Sequence, residues 1–324
     1  MKNLYFGIPA VSAFFFVLLF PQESFAAAGS GLLLWYETLV PTLLPVMILS
    51  HLLLSSNLAL VLAGRIARPL TALLSISPSG AYALLVGFFC GCPMGAKVLS
   101  DLRENQQISE TEASYLAAFI NNISPAFLTN FLVLRHLKAP ALLLPTLVIL
   151  FGAPLLYGLF SNHRYRMQKK NEPHTVFPSG SSENVPAGRE AEKNKAPAKA
   201  ITFAMVDASI TDSICSITKL GGYILLFAIF TAMIDVLPLD SPYPAAILSG
   251  IVEISSGIHR IAALPLPFRE KYLLLTAVSA FGGLCCTAQS ARMLSVIGLS
   301  VKSYIGAKIS ITAIAVIMTL CYIL

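Results

Sequence analysis

Long apolar runs, separated by short polar stretches, constrain this chain more than any other feature. A helix needs about 20 apolar residues to cross the hydrocarbon core of a bilayer. Only 12% of the 324 residues are charged, whereas a soluble domain has about 25%, so too few polar side chains exist to cover a water-soluble globule. The sequence therefore predicts an all-α integral membrane protein with about eight transmembrane or re-entrant helices. The runs lie at 4–20, 32–54, 81–99, 115–134, 141–160, 220–237, 243–263, 272–293 and 304–324.

The N-terminal segment 1–28 and the polar stretch 161–200 divide the chain into regions. Residues 1–28 are predicted to form an N-terminal transmembrane helix; the alanines at 26–28 resemble a signal-peptide cleavage site, but the apolar core is long for a leader. At 161–200 the composition changes to Lys, Glu, Asn, Pro, Ser and Gly without apolar periodicity. This stretch predicts a disordered linker, on the cytoplasmic side. Two halves, 29–160 and 201–324, remain on either side of it.

The formal charge of +6 does not indicate a nucleic-acid partner. Eight of the 22 Lys and Arg residues fall between Arg164 and Lys199, interleaved with four Glu, and no basic face is interleaved with aromatic residues. We interpret the excess as a topology signal under the positive-inside rule. The expected partners are the lipid bilayer, a small anionic or nucleoside-like solute and, as an open alternative, further copies of the chain.

Catalytic and metal chemistry find no support in the sequence. No Ser/His/Asp order, HExxH or GxxxxGK[ST] pattern occurs, so no enzyme activity is expected. A thiolate metal site formed by Cys90 and Cys92 with Cys285 and Cys286 is weak, because no histidine lies nearby and small-residue packing explains these residues. No metal or other cofactor is predicted.

A weak internal repeat relates the two halves. Gly87–Gly95 is followed 34 residues after Gly87 by the polar break Asn121-Asn-Ile-Ser-Pro125, and Gly250–Gly257 is followed 33 residues after Gly250 by Gly283. Each half thus has a glycine-rich interrupted segment, a connection with basic residues and a polar break in the next apolar run. Matched interrupted segments in two halves indicate a transporter binding site.

The breaks supply the candidate solute-binding residues. Glycine and proline leave backbone N–H and C=O groups free within the membrane, and half-helix N-termini attract anions. Lys97 strengthens an anion preference if it faces the solute; alternatively, it marks the end of a span and extends to the interface. The adjacent amides Asn121 and Asn122 either line the solute site or pack between helices. The predicted set is Gly91, Cys92, Pro93, Gly95, Lys97, Asn121, Asn122, Ser124, Gly282, Gly283 and Gln289.

Glu253 is the only carboxylate well inside an apolar stretch. An intramembrane carboxylate is costly and by default indicates a functional site. We predict that Glu253 binds a coupling ion or a proton; the alternative is a structural ion pair with Lys97, Lys219 or Arg292.

These motifs resemble the YlbJ family of sporulation integral membrane proteins from endospore-forming bacteria, part of the wider group with nucleoside-recognition, or Gate, domains. The resemblance covers nearly the whole chain and is most specific at Gly91–Lys97 and Phe119–Pro125. In place of the family's Gly-Phe-Pro turn, this chain has Gly91-Cys92-Pro93. The similar stretches are Pro21–Ser24, Gly31–Tyr36, Val40–Pro45, Gly91–Lys97, Ile108–Ser109, Glu112–Ala113, Phe119–Pro125, Gly221–Ile224, Gly250–Gly257, and Phe281–Gly283 with Gln289.

The resemblance implies a multi-pass protein of the bacterial cell membrane that carries dipicolinic acid across the outer forespore membrane late in sporulation. It also implies an architecture related to concentrative nucleoside transporters, whose halves are repeats with helical hairpins. Two alternatives stay open: a transporter of a nucleoside-like solute, and a non-transporting membrane scaffold required for spore maturation. In the scaffold, Asn121, Asn122 and Glu253 only pack.

Overall fold

The fold is described by a computed structural model over residues 4–56, 69–171 and 200–324, and every structural statement refers to these residues. They form helices and connecting turns and contain no strand, which confirms the predicted all-α class. Two π-helical segments, Leu34–Leu39 and Phe127–Leu137, and the 3-10 turn Pro140–Leu142 interrupt the α-helices. The α-helices are α1 Leu4–Leu19, α2 Pro21–Leu33, α3 Val40–Ser55, α4 Pro78–Cys90, α5 Met94–Glu104, α6 Glu110–Ile120, α7 Leu143–Asn171, α8 Phe203–Asp235, α9 Pro242–Val252, α10 Ile254–Ala263, α11 Phe268–Phe281, α12 Gly283–Ile297 and α13 Val301–Ile323.

Several helices are long and apolar enough to cross a bilayer, which makes the chain a multi-pass membrane protein. Four such helices occur in the described part of the chain: α7, α8, the pair α11–α12 taken together, and α13. A fifth is obtained if α1 and α2 count as one broken span. The N-terminal helix predicted at 1–28 is therefore divided: the chain bends by 112° between α1 and α2. Pro21 begins α2, and proline suits this position because it lacks an N–H to donate to the preceding helix.

Both halves of the chain contain the same order of elements. The first has a hairpin of two short helices (α4 and α5), a broken helix (α6 and Phe127–Leu137) and the long helix α7. The second has the hairpin α9–α10, the broken helix α11–α12 and the long helix α13. The hairpin arms have 10 to 13 residues, or about 15 to 20 Å at 1.5 Å per residue, so each arm is too short to cross a core of about 30 Å.

The start of α6 lies beside the ends of α7 and α12. The hydroxyl of Ser114 in α6 donates a hydrogen bond to the carbonyl of Ile297 at 3.1 Å. The rings of Tyr115 in α6 and Tyr165 in α7 stack with their centroids 4.3 Å apart. Because α7 leads into residues 172–199, we call this side of the molecule the linker end.

The start of α11 lies at the opposite side, which we call the far end. The hydroxyls of Tyr272 in α11 and Thr146, near the start of α7, are 3.0 Å apart. The ring of Tyr272 also contacts that of Tyr322, near the end of α13. The two broken helices therefore begin at opposite ends of the molecule and run in opposite directions.

The polar stretch predicted at 161–200 begins as helix. Helix α7 continues to Asn171, because its last turns are held by other elements: Arg166 Nε donates to Ser75 Oγ at 2.7 Å and Asn162 Nδ2 donates to the carbonyl of Leu73 at 3.0 Å. Basic residues in the last turn also interact favourably with the helix dipole. Residues 172–199 of the predicted linker lie outside the described residues.

The inverted arrangement predicts the sidedness of three loops. We expect tags at Gln107, between α5 and α6, and at Gly180, between α7 and α8, to be accessible from the same side of the membrane. A tag at Leu239, between α8 and α9, should be accessible only from the other side. Labelling with a membrane-impermeant reagent measures this, and a Leu239 tag on the same side as the Gln107 tag would contradict the inverted repeat.

Candidate functional site

In the first half, the tip of the hairpin packs directly against the break in the broken helix. Gly91 has a φ of +78°, and a Cβ there would lie 2.7 Å from the backbone nitrogen of Ser124. The backbone N–H of Cys92 donates to the carbonyl of Asn122 at 2.7 Å. Only glycine fits at position 91, because both the positive φ and the close approach exclude a side chain.

The second half repeats this arrangement with different residues. Gly283, with a φ of +78°, brings the break between α11 and α12 against the hairpin tip, where its Cβ would lie 3.1 Å from the nitrogen of Ile254. The arms of this hairpin touch at glycines, since a Cβ on Gly257 would lie 2.0 Å from Gly250 Cα. All four interruptions that the sequence indicated therefore lie in two packed tip-and-break pairs.

Glu253 forms the tip of the second hairpin and caps α10. Its side chain is 1% exposed. Its two carboxylate oxygens accept hydrogen bonds from the N–H groups of Ser255 (2.9 Å) and Ser256 (2.6 Å). A carboxylate at this position also interacts favourably with the positive end of the helix dipole.

This geometry predicts a stability effect at Glu253. We expect Glu253→Ala to reduce the free energy of unfolding by about 1–2 kcal/mol, because the substitution leaves N–H groups of the first turn of α10 unpaired. Glu253→Gln retains one acceptor oxygen and should lose less. Thermal unfolding of the purified protein measures both variants, and equal stability of the wild type and Glu253→Ala would exclude the capping role.

A buried polar cluster joins the first break to the second half. The side-chain nitrogen Nδ2 of Asn121 donates to Ser290 Oγ at 2.7 Å and to Tyr304 OH at 3.1 Å. It also lies 3.4 Å from Cys92 Sγ, which in turn lies 3.7 Å from the carbonyl oxygen of Cys286. We call Cys92, Asn121, Asn122, Ser290, Tyr304 and Lys308 the junction cluster; it links the first hairpin tip, the first break, α12 and α13.

Lys308 of α13 provides the charge of the junction cluster. Its residue is 3% exposed. Its Nζ donates to the carbonyl of Asn121 at 2.6 Å and to Asn122 Oδ1 at 3.0 Å. It is absent from the ion pairs formed within the described residues, and its two hydrogen-bond acceptors are neutral amide oxygens.

Four half-helices begin at the two tip-and-break pairs, and two of them lack a capping side chain. Glu253 caps α10, and Ser124 Oγ accepts from the N–H of Phe127 at the start of the π-helix. Helices α5 and α12 begin after Pro93 and Gly282, neither of which provides a side-chain cap. These two helices pack against each other. The N–H of Met94, the first of α5, donates to the carbonyl of Gly91 at 2.9 Å. Other N–H groups of a first helical turn have no acceptor within their own helix, and the turn carries a partial positive charge.

The structure separates two predicted site residues from the junction cluster. Lys97 is exposed and its Nζ lies 2.9 Å from the carboxylate of Asp101, one turn along α5. Gln289 donates to Cys285 Sγ at 3.3 Å. By contrast, Cys92, Asn121 and Asn122 are members of the cluster, and the other predicted residues form the tips and breaks: Gly91, Pro93, Gly95, Ser124, Gly282 and Gly283.

Sequence reasoning missed three residues of the junction cluster, Ser290, Tyr304 and Lys308. Lys308 was not predicted as a site residue, because the last apolar run, at 304–324, was interpreted only as a transmembrane segment. A pattern was available: Tyr304, Lys308, Ile311 and Ala315 follow at helical spacing and all four are buried. A lysine on the buried face of a transmembrane helix is a functional-site indication by itself.

Comparison with known proteins supports the resemblance found in the motifs. The chain is 26% identical over 315 residues to the Sporulation integral membrane protein YlbJ of Bacillus subtilis (strain 168), in an alignment that covers 90% of this chain and 76% of the relative. No protein-family model matches the sequence, and no solved structure matches it significantly. The predicted resemblance to YlbJ is thereby confirmed.

Proposed function

We propose, from the similarity that supports membership of the YlbJ family, that this chain has a membrane role in sporulation and transports a small organic anion. The substrate we propose is dipicolinic acid, carried across the outer forespore membrane. The chain's own residues supply the reason for an anion, and the relative supplies the reason for sporulation.

The observation that carries this proposal is the uncompensated charge of Lys308. Burial of an ammonium group costs several kcal/mol even after relaxation, and neutral hydrogen-bond partners offset only part of that cost. Lys308 nevertheless lies at the junction of the two halves with the Asn121 carbonyl and the Asn122 amide as its hydrogen-bond partners. An anionic solute at this position compensates the charge of Lys308. Binding of the anion therefore removes the unfavourable free energy of the buried ammonium group, and this gain contributes to the affinity for the solute.

The two uncapped half-helices favour the same kind of solute. The contact between Cys92 Sγ and the carbonyl of Cys286 joins the residue just before the start of α5 to the first turn of α12. Free N–H groups at a helix N-terminus bind carboxylates and phosphates. Dipicolinate carries two carboxyl groups on one planar ring, which suits two helix termini and one ammonium group. A neutral nucleoside would leave Lys308 uncompensated, so the anion is the better fit.

We further propose a Gate-type architecture, related to that of concentrative nucleoside transporters. In this arrangement, α4–α5 and α9–α10 are re-entrant hairpins, and they bring the chain to about eight transmembrane or re-entrant segments. The hairpins enter from opposite ends and their tips meet the broken helices at the middle of the membrane. Five of the six residues of the junction cluster are buried, and Cys92 is half-buried, so solute entry requires a hairpin to move away from its broken helix. This movement would provide alternating access.

Uptake into proteoliposomes tests the proposal. We expect vesicles containing the full-length protein to equilibrate labelled dipicolinate faster than protein-free vesicles, and to leave labelled uridine excluded. Uptake of uridine with no uptake of dipicolinate would favour a nucleoside transporter. Exclusion of both solutes by correctly folded protein would favour the scaffold and overturn the proposal.

A further inference from the structure

We infer that the junction cluster binds its solute as a singly charged anion that also carries one hydrogen-bond donor. A dicarboxylate then binds in its hydrogen-dicarboxylate form, and one proton enters the site together with it. This inference rests on the proposed function and concerns the charge state in which the solute is carried.

The first observation is the charge that the cluster can neutralise. Lys308 is buried without an ion-pair partner among the described residues. The carboxylate of Glu253, at the tip of the second hairpin, is already paired with two N–H groups at the positive end of α10. The titratable groups that face Lys308 are the thiols of Cys92 and Cys286 and the phenol of Tyr304. One bound negative charge therefore balances the ammonium group of Lys308, whereas the second charge of a dianion would face only helix termini and neutral side chains.

The second observation is an acceptor without a donor. Asn121 is 2% exposed, and no donor in the described part of the chain reaches its Oδ1. The orientation of this amide is determined by Ser290, whose hydroxyl donates to the carbonyl of Cys286 at 2.9 Å. Ser290 Oγ is therefore the acceptor for the Asn121 NH₂ group at 2.7 Å, and Oδ1 is directed elsewhere. A buried carbonyl oxygen that lacks a donor is costly.

A hydrogen-dicarboxylate satisfies both groups. Its ionised carboxylate pairs with Lys308, and the O–H of its protonated carboxyl donates to Asn121 Oδ1. The proton remains on the solute and crosses the membrane with it, so no group on the protein changes its protonation state. A fully ionised dicarboxylate has neither the single charge nor the donor that the cluster requires.

Calorimetric titration of the purified full-length protein with dipicolinate, in two buffers of different ionisation enthalpy at about pH 7.5, counts the protons bound with the solute. We expect about one proton to be taken up per dipicolinate, because the free solute is the dianion at this pH. The matched ligand is the monoamide of dipicolinate, which has the same ring, one charge and an N–H donor; it should bind without proton uptake. Lowering the pH should strengthen binding of dipicolinate by about tenfold per unit and leave binding of the monoamide unchanged.

The outcomes separate this inference from the proposed function. Binding of dipicolinate without proton uptake, or equal proton uptake with the monoamide, would overturn the inference and leave anion transport standing. The variant Cys92→Ser tests whether the proton binds to the thiol of Cys92 instead of the solute. The number of protons taken up per dipicolinate should remain about one in this variant, and a value of zero would overturn the inference. Failure of folded protein to bind either ligand would contradict the proposed function itself.

Discussion

Replacing Lys308 by methionine should abolish dipicolinate transport while the protein still inserts and folds. Loss of a buried charged partner of a ligand costs about 2–5 kcal/mol, so the dissociation constant for dipicolinate should rise by at least about thirtyfold. The thermal stability should stay equal or rise, because methionine fills a similar volume without the cost of burying a charge. Equilibrium binding and the melting temperature of the purified variant measure the two effects separately.

The matched control for this prediction is Lys97→Met. Lys97 is also a lysine of an apolar segment, but it is half exposed and paired with Asp101, so exposed-pair energetics of about 0–1 kcal/mol apply. Its removal should leave the affinity for dipicolinate within about twofold. Equal losses in both variants would show that the charge acts through the general electrostatic field of the protein and would remove Lys308 from the site.

The substitution Gly257→Ala should have the largest effect on stability. A Cβ at this position would lie 2.0 Å from Gly250 Cα and 2.5 Å from its nitrogen, and backbone atoms cannot rotate aside as a side chain can. The two arms of the second hairpin must therefore separate. We expect a loss of about 3 kcal/mol, the upper range for overpacking, and a corresponding fall in the yield of folded protein.

Gly222→Ala serves as the control for this glycine. Gly222 lies within α8 and nothing would contact its Cβ within 4 Å. Alanine there should leave the melting temperature unchanged or raise it, because it favours helix by up to about 1 kcal/mol over glycine. A wild-type melting temperature for Gly257→Ala would mean that the hairpin arms do not touch in the membrane.

The breaks of the fold were predictable because glycine, proline and adjacent amides interrupt apolar runs visibly. The breaks at Asn121 and Gly283 were predicted from these residue types, and both lie where a helix stops and restarts in the structure. The direction of the repeat was not predictable, since the same order of elements fits a parallel or an inverted pair. Its direction follows from contacts between distant helices, such as those of Tyr272 with Thr146 and of Ser114 with Ile297.

The sequence analysis predicted Lys97 as the positive charge of the site, whereas the lysine in the junction cluster is Lys308. Lys97 is close in sequence to the Gly91 break, but α5 directs it away, toward Asp101. Lys308 is 187 residues from Asn121, yet its Nζ lies 2.6 Å from that residue's carbonyl. Lys97 was expected at the site because it is close to the Gly91 break in sequence. Lys308 lies at the site because the face of α13 that carries it packs against the first break. Helix orientation of this kind depends on tertiary packing and is only weakly encoded in local pattern.

The central claim is that Lys308 binds the solute at the junction of the two halves, and a structure of the protein with dipicolinate bound tests it most directly. We predict a carboxylate oxygen within hydrogen-bond distance, about 3 Å, of Lys308 Nζ, beside the first turns of α5 and α12. The backbone carbonyl of Asn121, which accepts a hydrogen bond from Lys308 Nζ in the structure without solute, should lose that hydrogen bond or share Lys308 Nζ with the solute. Dipicolinate bound elsewhere, with Lys308 still held by Asn121 and Asn122, would contradict the account.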